Sequence, residues 1–115
     1  MDPNQLQRRA EEASELLKAL GNARRLMILC QLAAGEKSVG ELVRRIGLSQ
    51  SALSQHLARL RRDGLVSTRR SAQTIYYAIA GTEARALLQA LHALYCAREA
   101  AEPPAPKIDP PRISL

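Results

Sequence analysis

The chain has no Phe, no Trp and only three Tyr among its 115 residues. Platforms for single-stranded nucleic acid need several exposed rings, and three Tyr hardly furnish one. Apolar residues still make up 46% of the sequence, so Leu, Ala and Ile must fill the core, a composition that favours helices. There are only two His, no Gly-rich phosphate loop, and no nucleophile, base and orienting group that the sequence brings together, so an enzyme is not expected. No apolar run approaches the roughly 20 residues that span a bilayer. The start, MDPNQLQRRAEE, lacks the apolar stretch of a secretory signal, and a cytoplasmic protein without a membrane partner is expected. Two Cys are too few for a disulfide framework. In a reducing compartment they are either core thiols or a deliberate site.

What is present is the length of one domain and a localised positive charge. The net charge is +6. Between Arg44 and Arg70 stand seven bases (Arg44, Arg45, Arg59, Arg61, Arg62, Arg69, Arg70) and one acid, Asp63, while the other 88 residues balance to zero. A basic stripe on an otherwise neutral chain fits either a polyanion partner such as nucleic acid or a solvated charged face.

The apolar spacing predicts a first helix over residues 4–20, with Leu6, Ala10, Ala13, Leu17 and Leu20 as its stripe and Gly21 at its end. A second helix follows from the Asn22 cap to Gly35 and is apolar nearly all round, hence central. Ser38 and Glu41 form a capping box for a short helix ending at Gly47. Ser49 caps a fourth helix that stops at Asp63-Gly64-Leu65. Two short helices around a Gly-containing turn are a helix-turn-helix signature. From Leu65 to Ile79, β-branched and Tyr residues broken by Ser71-Ala72-Gln73 predict a two-stranded hairpin, and Thr82 opens a last helix from Glu83 to about Ala100. The expected fold is mainly α with a β-hairpin wing, in the order α, α, α, α, β, β, α: a winged helix-turn-helix domain over 1–100. Five of the six prolines lie between Pro103 and Pro111, so 101–115 is expected to be an extended or disordered arm.

The fourth helix is the candidate reader of double-stranded DNA. At 100° per residue Leu53, Leu57 and Leu60 share the core side, which turns Ser51, Gln55, Ala58, Arg59 and Arg62 outward. Gln can bond adenine and Arg guanine bidentately, while Ser or Arg can hold phosphates. Gln50, Ser51, Ser54, Gln55, Arg59 and Arg62 are therefore candidate contacts, with Arg69, Arg70 and Gln73 reaching from the hairpin tip. His56 projects nearer the core side; a DNA contact and a partly buried, hydrogen-bonded histidine both stay open.

The segments LGNARRLMIL (20–29), SQSALSQHLARLRRDGLV (49–66) and RRSAQTIYYAI (69–79) closely resemble the ArsR/SmtB family of small bacterial repressors. The resemblance runs over residues 5–99 and implies a homodimer built from the first and last helices, placing Leu6, Ala10, Ala13, Leu17, Leu87, Leu91 and Leu94 at its interface. It implies a palindromic operator released when an inducer binds. Two-fold symmetry also gives the narrow stripe of the first helix a partner.

Many members sense metals through Cys-x-Cys on the third helix or Asp and His on the last. This chain has neither: its third helix reads KSVGELV, and its last has one His, His92, and no Asp. Cys30, Cys96 and His92 would be a thin set for a four-coordinate metal, and neither metal nor cofactor is expected. Cys30 and Cys96, 66 residues apart, instead resemble the dithiol of the SqrR/BigR branch, which implies a persulfide or reactive-sulfur inducer and sulfide-detoxification target genes. Cys96 lies nearly opposite the Leu87, Leu91, Leu94 and Tyr95 stripe, away from where a packing thiol would sit. Cys30 shares a face with Leu26, Leu29 and Ala33 and also suits a small core residue. His92, one turn before Cys96, is placed to favour its thiolate if protonated. A metal-responsive repressor, a general thiol redox switch and a protein-interaction module are the competing readings.

Overall fold

The computed structural model describes the backbone of residues 1–101, and side chains as far as Cys96. Asp2 caps α1 (Pro3–Arg8) by accepting the Asn4 N–H at 2.9 Å. The single helix expected over 4–20 is two. The backbone leaves helical dihedrals at Arg9 (φ −107°, ψ 12°) and resumes as α2 (Ala10–Leu20). Neither Gly nor Pro marks this break. α1 buries no residue, so core packing does not hold the two segments in line, and the Arg9 guanidinium instead donates two bonds of 2.8 Å to Glu12.

Asn22 caps α3 (Ala23–Ala33), accepting the Arg24 and Arg25 N–H groups at 3.0 Å each. Arg25 then reaches back to the open end of α2, donating to the Ala19 carbonyl at 2.7 Å and the Lys18 carbonyl at 3.1 Å. A two-residue strand, β1 (Lys37–Ser38), joins the sheet through Tyr77 and Tyr76. No periodicity can be read from two residues, and the expected hairpin is in fact a three-stranded antiparallel sheet of order β1-β3-β2. Lys37 is buried. Its ammonium donates to the Gln31 carbonyl at 2.9 Å and the Gly35 carbonyl at 3.3 Å, closing the C-terminal end of α3.

The capping box of Ser38 and Glu41 opens α4 (Val39–Ile46), and Gly47 ends it in the left-handed region at φ 84°. Ser49 caps α5 (Gln50–Arg62). Beyond Asp63, the Gly64 N–H bonds the Arg61 carbonyl at 3.0 Å and the Leu65 N–H bonds the Leu60 carbonyl at 2.9 Å, the paired bonds of a Schellman terminus. β2 (Val66–Ser71) and β3 (Thr74–Ile79) follow, then α6 (Glu83–Ala101), one residue beyond the expected domain boundary. The proline-rich arm lies outside the described residues.

The core is aliphatic throughout. Ile28, Leu29 and Leu32 from α3, Leu42 from α4, and Leu53, Leu57 and Leu60 from α5 are its fully buried large side chains, flanked by Val66, Ala84 and Leu88. Among the described residues no helix is long and apolar enough to cross a membrane.

Candidate nucleic-acid interface and thiol pocket

Burial of Leu53, Leu57 and Leu60 fixes the rotation of α5 and presents Gln50, Ser51, Ser54, Gln55 and Arg62 to solvent on its other side. Two members of the expected set are less free. His56 is half-buried, and Arg59 is half-buried with its Nε bonding Asp63 at 3.0 Å, one turn on. Between α5 and the wing runs a concavity of about 450 Å³ lined by Ser54, Ala58, Arg61, Arg62 and Tyr77. Two guanidinium groups and no carboxylate line it, a charge balance suited to a phosphate. Arg61 was not singled out from the sequence as a contact; the adjacency to Tyr77 that marks it is tertiary.

The register sets the wing. Arg69 lies opposite Tyr76, Arg70 opposite Ile75 and Ser71 opposite Thr74, leaving Ala72 and Gln73 as the tip. Successive strand residues face opposite sides, so Arg69 and Arg70 cannot act together on one surface. Arg69 is engaged within the protein: its guanidinium donates to both carboxylate oxygens of Glu36, with the Nε bond at 3.2 Å, and its Cζ lies 4.7 Å from the centre of the Tyr76 ring. The hydrogen bond from Arg69 holds the Glu36 carboxyl below its ordinary range, and the same bond raises Arg69. Arg69 thus braces the wing against the turn before β1. Arg70 and Gln73 remain exposed, as do Arg44 and Arg45 on α4.

A second surface is apolar. Leu6 (55% exposed), Leu17 (58%), Leu94 (61%) and Tyr95 (58%) stand in solvent on α1, α2 and α6. Ala10 is exposed, and Ala13, Leu87 and Leu91 are half-buried. The sequence-predicted interface set therefore contributes no fully buried residue to the core of the protomer.

Cys30 is not a core residue. α3 buries Ile28, Leu29 and Leu32, which rotates Cys30 to the exposed edge of the helix. A helix apolar nearly all round gives its periodicity no way to choose a buried face, which is why the core reading looked equally good. Cys30 borders a cavity of about 260 Å³ whose other walls are Ala33 from α3 and Arg85, Leu88, Gln89 and His92 from α6. Partial burial pushes the Cys30 thiol above its ordinary value, and the nearby Cys96 thiol adds to the rise. Cys96 is exposed one turn beyond His92, and both thiols are free. Arg85 and Gln89 were missed from the sequence. The spacing that could have found them is the stripe 85, 89, 92, 96, the α6 face that carries Cys96. Among the described residues no group of three or more His, Cys, Asp or Glu is placed to hold a metal ion.

Residues 22–68 match the family described as bacterial regulatory protein, arsR family. The chain is 55% identical over 96 residues to the transcriptional activator HlyU of Vibrio cholerae, covering 84% of this chain and 89% of that protein. It resembles the solved structure of the transcriptional repressor BigR from Xylella fastidiosa with a TM-score of 0.80 and 43% identity, over 84% of this chain and 98% of the other. The homodimeric winged helix-turn-helix DNA-binding domain Mb0332 of Mycobacterium bovis matches with a TM-score of 0.70 and 31% identity, over 87% and 90% of the two chains. A basic reader helix with its wing on an aliphatic core, matched by these relatives over most of their length, is a DNA-binding transcription regulator and not an enzyme; the chain belongs to the arsR family, in the branch that holds HlyU and BigR.

Proposed function

We propose that the protein is a homodimeric repressor that holds a palindromic operator while its thiols are reduced and releases it when reactive sulfur links Cys30 to Cys96. The observation that supports this reading is the packing of α3 against α6, the two helices that carry Cys30 and Cys96, with the Cys96 thiol among the causes that raise Cys30. The apolar surface of Leu6, Leu17, Leu94 and Tyr95 supports the dimer, as does the homodimeric relative. DNA contacts are assigned to Gln50, Ser51, Ser54, Gln55, Arg62, Arg70 and Gln73, with Arg61 added; Arg59 and Arg69 hold the reader and wing in shape, and His56 borders the core. The domain is assigned to residues 1–100.

α3 belongs to the core under the reader helix, whereas α6 carries the exposed apolar face. A covalent link between them alters how the reader units sit across the two-fold axis. A hundredfold loss of DNA affinity requires only about 2.7 kcal/mol of difference between the two states.

Intact-mass spectrometry of the reduced protein after glutathione persulfide, glutathione disulfide or hydrogen peroxide tests the chemistry. A sulfur-containing bridge between Cys30 and Cys96, formed with persulfide alone, is the expected result. Loss of two hydrogens with every oxidant would make the protein a general redox switch, and unreactive thiols would remove the sensing role. Within this scheme His92, one turn before Cys96, assists its reaction, so His92→Ala should slow closure of the bridge by persulfide; an unchanged rate removes His92 from the mechanism.

A further inference from the structure

The pocket beside Cys30 has a composition that packing does not explain. It is lined by apolar Ala33 and the buried Leu88 together with the Arg85 guanidinium, the Gln89 amide and the His92 imidazole. Among the described residues no carboxylate lines it. Arg85 takes part in no ion pair among the described residues, and it lines the same pocket as the Cys30 thiol. On a helix, Arg85 and Gln89 are one turn apart and Arg85 and His92 about 10.5 Å apart along the axis, so the polar rim runs the length of the cavity.

We infer that this pocket receives an anionic sulfur donor, Arg85 holding the donor's carboxylate while its outer sulfur meets Cys30. The inference rests on the dithiol reading given above and adds to it a selectivity residue and a class of donor, a carboxylate-bearing low-molecular-weight persulfide. A guanidinium and a carboxylate form two parallel, charge-assisted bonds, which fixes orientation as well as position. The transfer balances within the pair. Cys30 Sγ bonds the terminal sulfur of R–S–SH, the S–S bond of the donor breaks, and R–SH leaves with the proton that Cys30 gives up. Cys30 then carries Cys30–S–SH; its outer sulfur takes the terminal sulfur of a second R–S–SH, again releasing R–SH, and Cys96 attacks the middle sulfur of the resulting Cys30–S–S–SH to form a trisulfide bridge and release hydrosulfide.

A bound donor also accounts for the character of the thiol. Partial burial keeps Cys30 protonated more than an ordinary cysteine, which slows its reaction with oxidants that merely collide with it. A donor anchored on Arg85 reacts at high effective concentration instead. Arg85 acts by positioning; it takes no part in bond making.

The test compares N-acetylcysteine persulfide with its methyl ester, which has the same S–S bond and no carboxylate. Sulfur addition to Cys30 is followed by mass spectrometry in the full-length Cys96→Ser protein, with Arg85 intact, Arg85→Gln or Arg85→Lys. The expected result is that the acid reacts at least about tenfold faster than the ester, that Arg85→Gln erases the preference by slowing the acid alone, and that Arg85→Lys restores part of it. Equal rates for acid and ester with Arg85 intact overturn the inference, as does an Arg85→Gln effect of equal size on both. If Cys30 accepts sulfur from neither donor, the dithiol reading itself fails.

Discussion

The reader half of the molecule, α4, α5 and the wing, and the flanking half, α1, α2 and α6, handle their apolar residues in opposite ways. In the reader half Leu42, Leu53, Leu57 and Leu60 are fully enclosed, and the surface left over is mostly polar and basic, with Ile75 of the wing the exposed large apolar residue. In the flanking half α1 buries nothing, α2 buries Ala19 and Leu20 at its far end, and Leu6, Leu17, Leu94 and Tyr95 stay in solvent. The reader half buries its leucines in the core it shares with α3, Ala84 and Leu88; the flanking half leaves an apolar face that a second copy would cover. The two thiols stand at the seam, with Cys30 on a core helix and Cys96 on a flanking one. In the proposed function, chemistry at that seam couples the two halves.

The largest expected effect breaks the contrast from the reader side. Leu57→Ala should lower unfolding free energy by about 2–5 kcal/mol in urea titrations, because the cavity it leaves is enclosed. Leu94→Asp should leave helix content intact yet weaken self-association at least about tenfold in sedimentation equilibrium, since a charge would enter the shared apolar face. Persistence of the dimer in Leu94→Asp would move the interface elsewhere. Next in size, Lys37→Met should cost about 1–3 kcal/mol although the apolar stem is nearly kept, because the Gln31 and Gly35 carbonyls lose their buried donor.

Smaller effects sharpen the comparison. Arg62→Ala should weaken duplex binding and reduce the log-log salt slope by about one, whereas Arg59→Ala, whose partner is Asp63, should change the slope less. Equal slopes for the two variants would contradict the division between free and braced arginines. At the seam, the alkylation profile of Cys30 should lie above the ordinary thiol value of about 8.5, and Cys96→Ser should lower it without abolishing the shift, since burial is the larger cause. The sign carries into stability: the folded state holds the Cys30 proton more tightly than the unfolded chain. That contribution is therefore complete below the unfolded thiol pKa and is lost as pH rises through the raised one.

Features that close within a few residues were legible in the sequence. Asn22, the pair Ser38 and Glu41, Ser49 and Gly64 each act on backbone no more than four residues away, so their residue types alone announce the helix ends. The outward face of α5 was legible too, because three leucines at helical spacing fix its rotation. Features made by distant segments were not. β1 exists only because β3 accepts it, Glu36 meets Arg69 across 33 residues, and Arg85 shares a pocket with Cys30 only through the docking of α6 on α3. The break at Arg9 was hidden for a different reason: a continuous apolar stripe carries no sign that one end of it packs against nothing.

The most direct test of the central claim is the duplex affinity of bridged against reduced protein, measured on a palindromic sequence that the reduced dimer selects from a random pool. Wild type treated with persulfide should lose about a hundredfold in affinity, equivalent to about 2.7 kcal/mol, while Cys96→Ser treated in the same way should keep its grip. Undiminished binding by protein whose mass shows the Cys30–Cys96 bridge would contradict the account.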